Sequence, residues 1–412
     1  LTLGTITQET KAPASPLQKG ALPDATAVYD YVFAGAGCAG LSLLVHMKEA
    51  GLLANKKVLV IDREHKQAND RTWCFWEKEP GPFESVVYRS WQQLDFYGPG
   101  FSAPLHIAPY SYKLIRGIDF YNYCFAQLGD LPEVEWLCAP VGAVANSAAD
   151  MATVSAGGQQ YRGRLVFNSI VAPQPPILAQ HHYWLLQHFK GWIIETPDDR
   201  FDPQKPTLMD FRVGQEHGCT FVYVLPFSKR RALVEYTLFS EKLLPPEAYD
   251  AALDDYLRQF LHLETYRVAE TEFGVIPMTN YAFPQGSDRV CQIGTAGGFT
   301  KGSSGYTFRF IQKKSARMVA SLKAHGHPFA GLADAARFAF YDSVLLHVLH
   351  HRQMAGDRIF ARLFRKNKAQ EVLRFLDNET NIPGELQILG SMPSLTFSRA
   401  ALRYLVARMF KR

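Results

Sequence analysis

The sequence predicts a mixed α/β fold: a Rossmann-like dinucleotide-binding domain interleaved with an antiparallel-sheet domain and followed by a helical C-terminal region. Three observations predict it. The run AGAGCAG at residues 34–40 stands between a strand-like and a helix-like stretch, and an aspartate closes the strand after them. Residues 177–284 read as successive strands instead of strand and helix pairs. From Arg309 onward apolar residues recur mainly at helical spacing.

In the first of these, residues 29–34 are the buried strand, 41–50 the helix and 57–61 the second strand. Gly35 permits the tight turn, Gly37 lets backbone approach a pyrophosphate, and Gly40 lets helix and strand pack closely. Ala36, Cys38 and Ala39 complete a turn whose N–H groups face the phosphates at a helix N-terminus, where the helix dipole favours negative charge. Asp62, 22 residues beyond Gly40, is placed to accept hydrogen bonds from an adenosine ribose. The same geometry serves NAD and FAD.

With 412 residues the chain exceeds a single ordinary core, and with 47% hydrophobic residues it is globular. Residues 1–27, rich in Ala, Pro, Thr and Gln, read as a disordered tail and not as a signal peptide. The dinucleotide-binding domain takes residues 28–176, ending at a Pro-rich joint over 173–176, and resumes over 285–330. Residues 177–284 form the antiparallel-sheet, substrate-binding domain, and 331–412 the helical region. No apolar run approaches the roughly 18 residues of a bilayer-spanning helix. Six cysteines without a Cys-x-x-Cys pair indicate a reduced, cytoplasmic protein, and Cys38 reads as packing within the glycine turn.

A net charge of +5 is unevenly spread, with twelve Lys and Arg against five Asp and Glu from His351 to Arg412. Leu402, Leu405, Val406, Met409 and Phe410 share one helical stripe flanked by Arg403 and Arg408. Such a helix either packs on a core or docks on anionic lipid, and the pattern by itself slightly favours core packing. No nucleic-acid motif accompanies the charge.

The aromatic segment DRTWCFWEKEPGPF, residues 70–83, reads as a loop whose rings Trp73, Phe75 and Trp76 fill a core or line a pocket. Residues 115–128 read as a helix, and 165–170 as a strand rejoining the first sheet. Residues 221–226 and 232–239 form a hairpin in which Leu233, Glu235, Thr237 and Phe239 share one face, so that Glu235 is a carboxylate in an apolar row. Strand 290–293 runs into a second Gly-rich turn, where Gly294, Thr295, Gly297 and Gly298 either contact the far half of a dinucleotide or form a flexible loop. The clearest helices beyond it are 311–325, 338–354 and 368–376. His347, His350 and His351 fall on one helical face but lack the further ligands that a di-iron site needs, and no metal site is expected. Lys113 and Arg116 read as solvated.

Five ordered segments, YDYVFAGAGCAGLSL, DRTWCFW, YVLPFSKRRALVEYTLFS, IGTAGGFTKGSSGYTF and VLRFLDNET, give the chain a resemblance to the flavoprotein lycopene cyclases, closest to bacterial members that form β-rings. The resemblance covers most of residues 29–395. It implies FAD at the fingerprint, a second flavin-proximal loop at residues 294–298, and a catalytic role for Glu235 within VEYT. It also implies that lycopene and related acyclic carotenoids are converted to products bearing β-ionone rings by an isomerase that requires reduced FAD, with NADPH as the electron source. Asn168 and Ser169 depart from the acidic pair of many related flavoenzymes, which alters the contacts expected around the middle of the flavin.

The chemistry asks for a proton added to an alkene, a tertiary cation attacked by the neighbouring alkene, and a proton removed. A buried glutamic acid and a water-free aromatic pocket suit those steps. A polyene substrate implies cytoplasmic protein held peripherally at the inner face of the cell membrane, association with other carotenoid enzymes, and a C-terminal helix that contacts lipid. The alternatives are an NADPH-consuming hydroxylase or isoprenoid reductase of the same fold, and a carotenoid carrier without catalysis.

Overall fold

The computed structural model describes residues 22–147, 150–172 and 175–409. Most of the N-terminal tail, half of the Pro-rich joint and Phe410 therefore lie outside the described residues. Strand Val28–Ala34 lies at the centre of a sheet whose parallel neighbours are Gln159–Asn168 on one side and Val58–Asp62 on the other. Across the sheet the order is Gly286–Ser287, Val290–Gln292, Gln159–Asn168, Val28–Ala34, Val58–Asp62 and Val134–Cys138. Both faces are covered, as a continuous apolar strand requires. Phe33 packs with Leu41 and Leu44 of helix Cys38–Glu49, while Val32 and Ala34 pack against Leu59, Ala152 and Val154. Helix Phe308–His325 lies on the same helix, where Gln312 Nε2 donates to Ser42 Oγ at 2.9 Å. The strand at 290–292 thus returns the chain to the first sheet, beside Asn168.

The second sheet runs in the order Arg267–Thr279, Trp184–Glu195, Arg231–Ser240, Cys219–Ser228, Thr207–Asp210, Gln93–Gly98 and Phe101–His106. Its last two strands come from the segment assigned to the dinucleotide-binding domain, and Gln93–Gly98 pairs in parallel with Thr207–Asp210. Leu94 and Phe96 explain the insertion, since both are fully buried and alternate with polar neighbours as a strand on this sheet demands. The expected hairpin is present, with Leu233 and Phe239 turned to one core and Val234, Tyr236 and Leu238 to another under helix Pro246–Gln259.

Residues 72–77 are a strand, not a loop. Thr72–Glu77 pairs with Ser111–Arg116, which pairs in turn with Arg89–Trp91. The β-branched and aromatic residues suit that pleated surface, and their partner lies too far along the chain for local turn residues to reveal it. Ile115 and Arg116 finish this strand, so the helix expected from residue 115 starts at Gly117.

Among the described residues five helices follow helix Phe308–His325: Ala336–His350, Gly356–Lys366, Ala369–Leu376, Ile382–Ser391 and Ser394–Met409. The last of them corrects the expectation of core packing. Ala400 and Tyr404 face inward, while Leu402, Leu405, Val406 and Met409 are exposed. The preceding helix leaves Ile382 and Leu386 exposed as well.

Within this helical region, the fully buried Glu385 accepts from Arg337 Nε at 2.9 Å and from Tyr341 Oη at 3.0 Å. Arg337→Met leaves that carboxylate buried without its cation, and urea unfolding should show a loss of about 3 kcal/mol.

Candidate active site

The glycine turn is fixed from three sides. Gly35 adopts φ +104°, and a Cβ on Gly40 would stand 2.2 Å from Gly35 O, so both positions exclude larger residues. Asp62 Oδ2 accepts the Ala36 N–H at 2.7 Å and Oδ1 that of Glu64 at 2.9 Å. Ser169 Oγ donates to Ala34 O at 3.0 Å from the neighbouring strand. Asp62 therefore braces the turn, and its remaining lone pairs are what a ribose would have to use. Helix Cys38–Glu49 has Gly37 as N-cap with no side-chain cap, which leaves first-turn N–H groups free for an anion. Burial pushes the Cys38 thiol up to about 12, and its Sγ rests 3.9 Å from Ser42 Oγ, so it stays a protonated packing group.

In the second glycine turn Gly294–Gly297 is a short 3-10 turn after strand Val290–Gln292, and Gly298 follows with φ +70°. Gly294 and Thr295 line the same cavity as Gly37, Cys38 and Ala39. Thr295 also borders a neighbouring hollow of 40 Å³ together with Gly298, Gly297 tucks beneath Gln292 O, and Gly35, Ala36, Gly40 and Asp62 do not line the cavity.

That cavity, 440 Å³ in volume, runs from the two glycine turns to the antiparallel sheet. Its far wall includes Gln187, Phe189, Tyr223, Leu225, Leu233 and Glu235. Glu235 Oε1 accepts from Thr237 Oγ1 at 2.8 Å, and burial together with the Glu272 carboxyl beside it raises the Glu235 carboxyl well above the ordinary range. The Glu235 surface that remains accessible belongs to the cavity it lines.

Three tyrosines that sequence reasoning passed over complete the wall. Tyr112, Tyr223 and Tyr306 line the cavity together, and burial holds Tyr112 and Tyr223 well above the ordinary phenol range and Tyr306 at about 12. All three stay protonated and uncharged at neutral pH. One signal was available in the sequence: counting back through the hairpin puts Tyr223 opposite Glu235.

Of the three rings assigned to a pocket, only Trp73 lines the cavity, packed edge-on to Phe120 at 5.0 Å. Phe75 stacks on Phe308 at 4.5 Å, and Trp76 donates from Nε1 to Leu373 O at 3.2 Å, so both belong to the packing behind. Lys113 faces neither phosphate nor water. It is buried, with Nζ 3.0 Å from Glu77 Oε1 and also against Glu84, and those partners raise it above the ordinary lysine range although burial opposes them. Arg116 pairs with Asp119 at 2.6 Å. His347 is held by Tyr183 Oη at 2.6 Å and by Gln353 at 3.1 Å.

Comparison with known proteins agrees with this architecture. The chain is 25% identical over 396 residues to a lycopene beta-cyclase of Paracoccus sp., covering 90% of this chain and 96% of that one. It is 25% identical over 260 residues to a lycopene beta-cyclase of Pseudescherichia vulneris, covering 61% and 62%. Among solved structures, a geranylgeranyl bacteriochlorophyll reductase-like protein from Thermoplasma acidophilum matches 92% of this chain and 99% of its own, with a TM-score of 0.58 and 13% identity. Klebsiella pneumoniae HpxO, solved with FAD and uric acid, matches 85% and 96%, with a TM-score of 0.60 and 14% identity. Those two likenesses concern the fold alone. The family model for lycopene cyclase protein matches residues 30–402, and the chain belongs to that family.

Proposed function

We propose that the protein is an FAD-dependent lycopene β-cyclase that closes the acyclic ends of lycopene into β-ionone rings without net oxidation or reduction. One observation carries this reading: the two glycine turns and the half-buried Glu235, whose carboxyl is raised, open into a single cavity.

The residues present suit FAD. Gly37, Cys38 and Ala39 at an uncapped helix start would hold the pyrophosphate and Gly294 and Thr295 the ring system, while Asp62, Gly297 and Gly298, outside the cavity lining, would shape the turns that do so. Ser304 and Gln187 border the same cavity, and their buried Oγ and Oε1 find no hydrogen-bond partner among the described residues, as donors and acceptors awaiting a polar ligand would. When bound in its reduced form, with NADPH as the electron source, the flavin would supply electron density next to a cation.

The chain's own groups account for the proton chemistry. Protonated Glu235 donates to the terminal alkene and becomes a carboxylate; the neighbouring alkene attacks the tertiary cation, and the carboxylate takes back a proton from the ring carbon. Atoms balance, and the glutamic acid is regenerated. Trp73, Tyr112, Tyr223 and Tyr306 line the cavity and would keep water out, and a ring face presented to a nearby cation contributes about 0.5–2 kcal/mol.

The polyene must come from lipid. Among the described residues no helix is long and apolar enough to cross a membrane. The exposed Leu402, Leu405, Val406 and Met409, beside exposed Arg399, Arg403 and Arg408, suit peripheral attachment to the anionic inner face of the cell membrane, where other carotenoid enzymes would work alongside.

Incubating the flavin-loaded protein with lycopene under reducing, anaerobic conditions should give cyclised products of unchanged mass. A shift of two hydrogens or one oxygen, with NADPH consumed one for one, would instead identify a reductase or hydroxylase. Glu235→Gln should retain flavin and lose at least about a hundredfold in cyclisation rate. Leu402→Glu combined with Met409→Glu touches no core and should reduce co-sedimentation with anionic vesicles several-fold; undiminished sedimentation removes this helix from the membrane contact.

A further inference from the structure

A second carboxyl stands behind Glu235, and its position rests on strand register. Tyr223 pairs with Glu235, Glu235 with Gly191, and Gly191 with Glu272, so these four residues form one row across adjacent strands. Directly opposite residues share a face of the sheet. The central position has no side chain. A Cβ on Gly191 would lie 2.9 Å from Glu272 Cγ and 2.9 Å from Leu233 Cδ1, so the glycine clears the path by which the two glutamates, two strand spacings or roughly 10 Å apart at the backbone, reach each other.

Their hydrogen bonds leave one gap. Thr72 Oγ1 donates to Glu272 Oε2 at 2.8 Å and Thr237 Oγ1 to Glu235 Oε1 at 2.8 Å. Glu272 Oε1 is buried, and no N–H or O–H of the described residues reaches it while both glutamates are ionised. A proton on Glu235 would supply a donor beside that oxygen, and each carboxyl is the other's neighbour across Gly191. Two carboxylates in contact cannot both ionise in a site removed from water.

Resting on the reading of Glu235 as the acid, we propose that Glu235 and Glu272 hold one proton between them, and that Glu272 is the positioning residue that keeps this proton on Glu235 for delivery into the cavity. Glu272 itself does not line the cavity, which suits a group acting through its neighbour. The other ionisable or polar groups facing the pair are consistent with that division. Cys74 and Tyr223 lie on the Glu235 side with Tyr306, and all three remain neutral, whereas Arg71 stabilises the charge on Glu272 and Glu270 opposes it.

The sign follows directly. An acid works until pH rises through its folded pKa, so raising that value by a neighbouring negative charge extends activity toward alkaline pH. Glu272→Gln removes the charge and offers an amide N–H to the Glu235 carboxylate. In the flavin-loaded protein, the alkaline limb of the rate profile for lycopene cyclisation should move at least one pH unit lower, with about a tenfold loss per unit beyond it and recovery in acid. Glu235→Gln should be inactive at every pH. An unmoved limb in Glu272→Gln overturns the proposal.

Infrared difference spectroscopy of the wild-type protein provides the second reading, independent of turnover and of whether a variant folds. One protonated glutamic acid should persist at neutral pH, and every folded variant lacking either glutamate should lose it. A wild-type protein without that band overturns the pair. Wild-type protein that shows the band yet leaves lycopene unchanged upholds the pair and refutes the cyclase reading.

Discussion

Burying a carboxyl group away from water costs several kcal/mol unless it is paired, bonded or neutralised, and the architecture around Glu235 is arranged for neutralisation. Among the described residues no lysine or arginine forms an ion pair with it, and its polar neighbours include a threonine hydroxyl and another glutamic side chain. Most other buried acids in the described structure are treated differently. Glu77 lies against Lys113 and Arg309, Glu385 against Arg337, and Asp210 against Arg212. The contrast separates carboxylates that hold the fold together from one kept as an acid.

The ion pairs also fix where the cavity wall stands. Strand Thr72–Glu77 carries Trp73 and Cys74 to the cavity and Glu77 away from it, and Glu77 is tied through Arg309 to the start of helix Phe308–His325. The same helix reaches Asp377 and Glu379 through Lys313, at 2.8 Å in each case. Asp377 sits at the end of helix Ala369–Leu376, so the small sheet, the nucleotide-side helix and the C-terminal helices are joined through one partly buried ionic belt. Replacing Arg309 or Lys313 removes a cation from the buried Glu77 or Asp377, which is where the belt is most sensitive to truncation.

Local features were legible in the sequence. The glycine turn, its helix and Asp62 fall within one strand–helix–strand unit, and the face of Glu235 followed from the two-residue period of its strand. What stayed hidden depended on pairing between distant segments. Thr72–Glu77 looked like a loop because Pro80, Gly81 and Pro82 follow it, while its partner begins at Ser111. Glu272 has no local signature, since it meets Glu235 only through a glycine on a third strand. The terminal helix showed an amphipathic pattern, but a pattern names two faces without saying which one meets protein; Tyr404 and Ala400 took the inner side. The rings of Phe75 and Trp76 carried the same ambiguity, and contacts with Phe308 and Leu373 settled it.

The modest volume of the chamber between the sheets has a bearing on a substrate with two reactive termini. A space of 440 Å³ that also borders both glycine turns has room for a chain terminus and not for the whole length of a long conjugated hydrocarbon. On the cyclase reading, a molecule finished at both extremities has visited the chamber twice, withdrawing and reversing between visits. Its half-finished form is then an ordinary released species, competing with fresh hydrocarbon for the same doorway, and the ratio of singly to doubly ringed pigment becomes a matter of supply and residence time as much as of catalytic power.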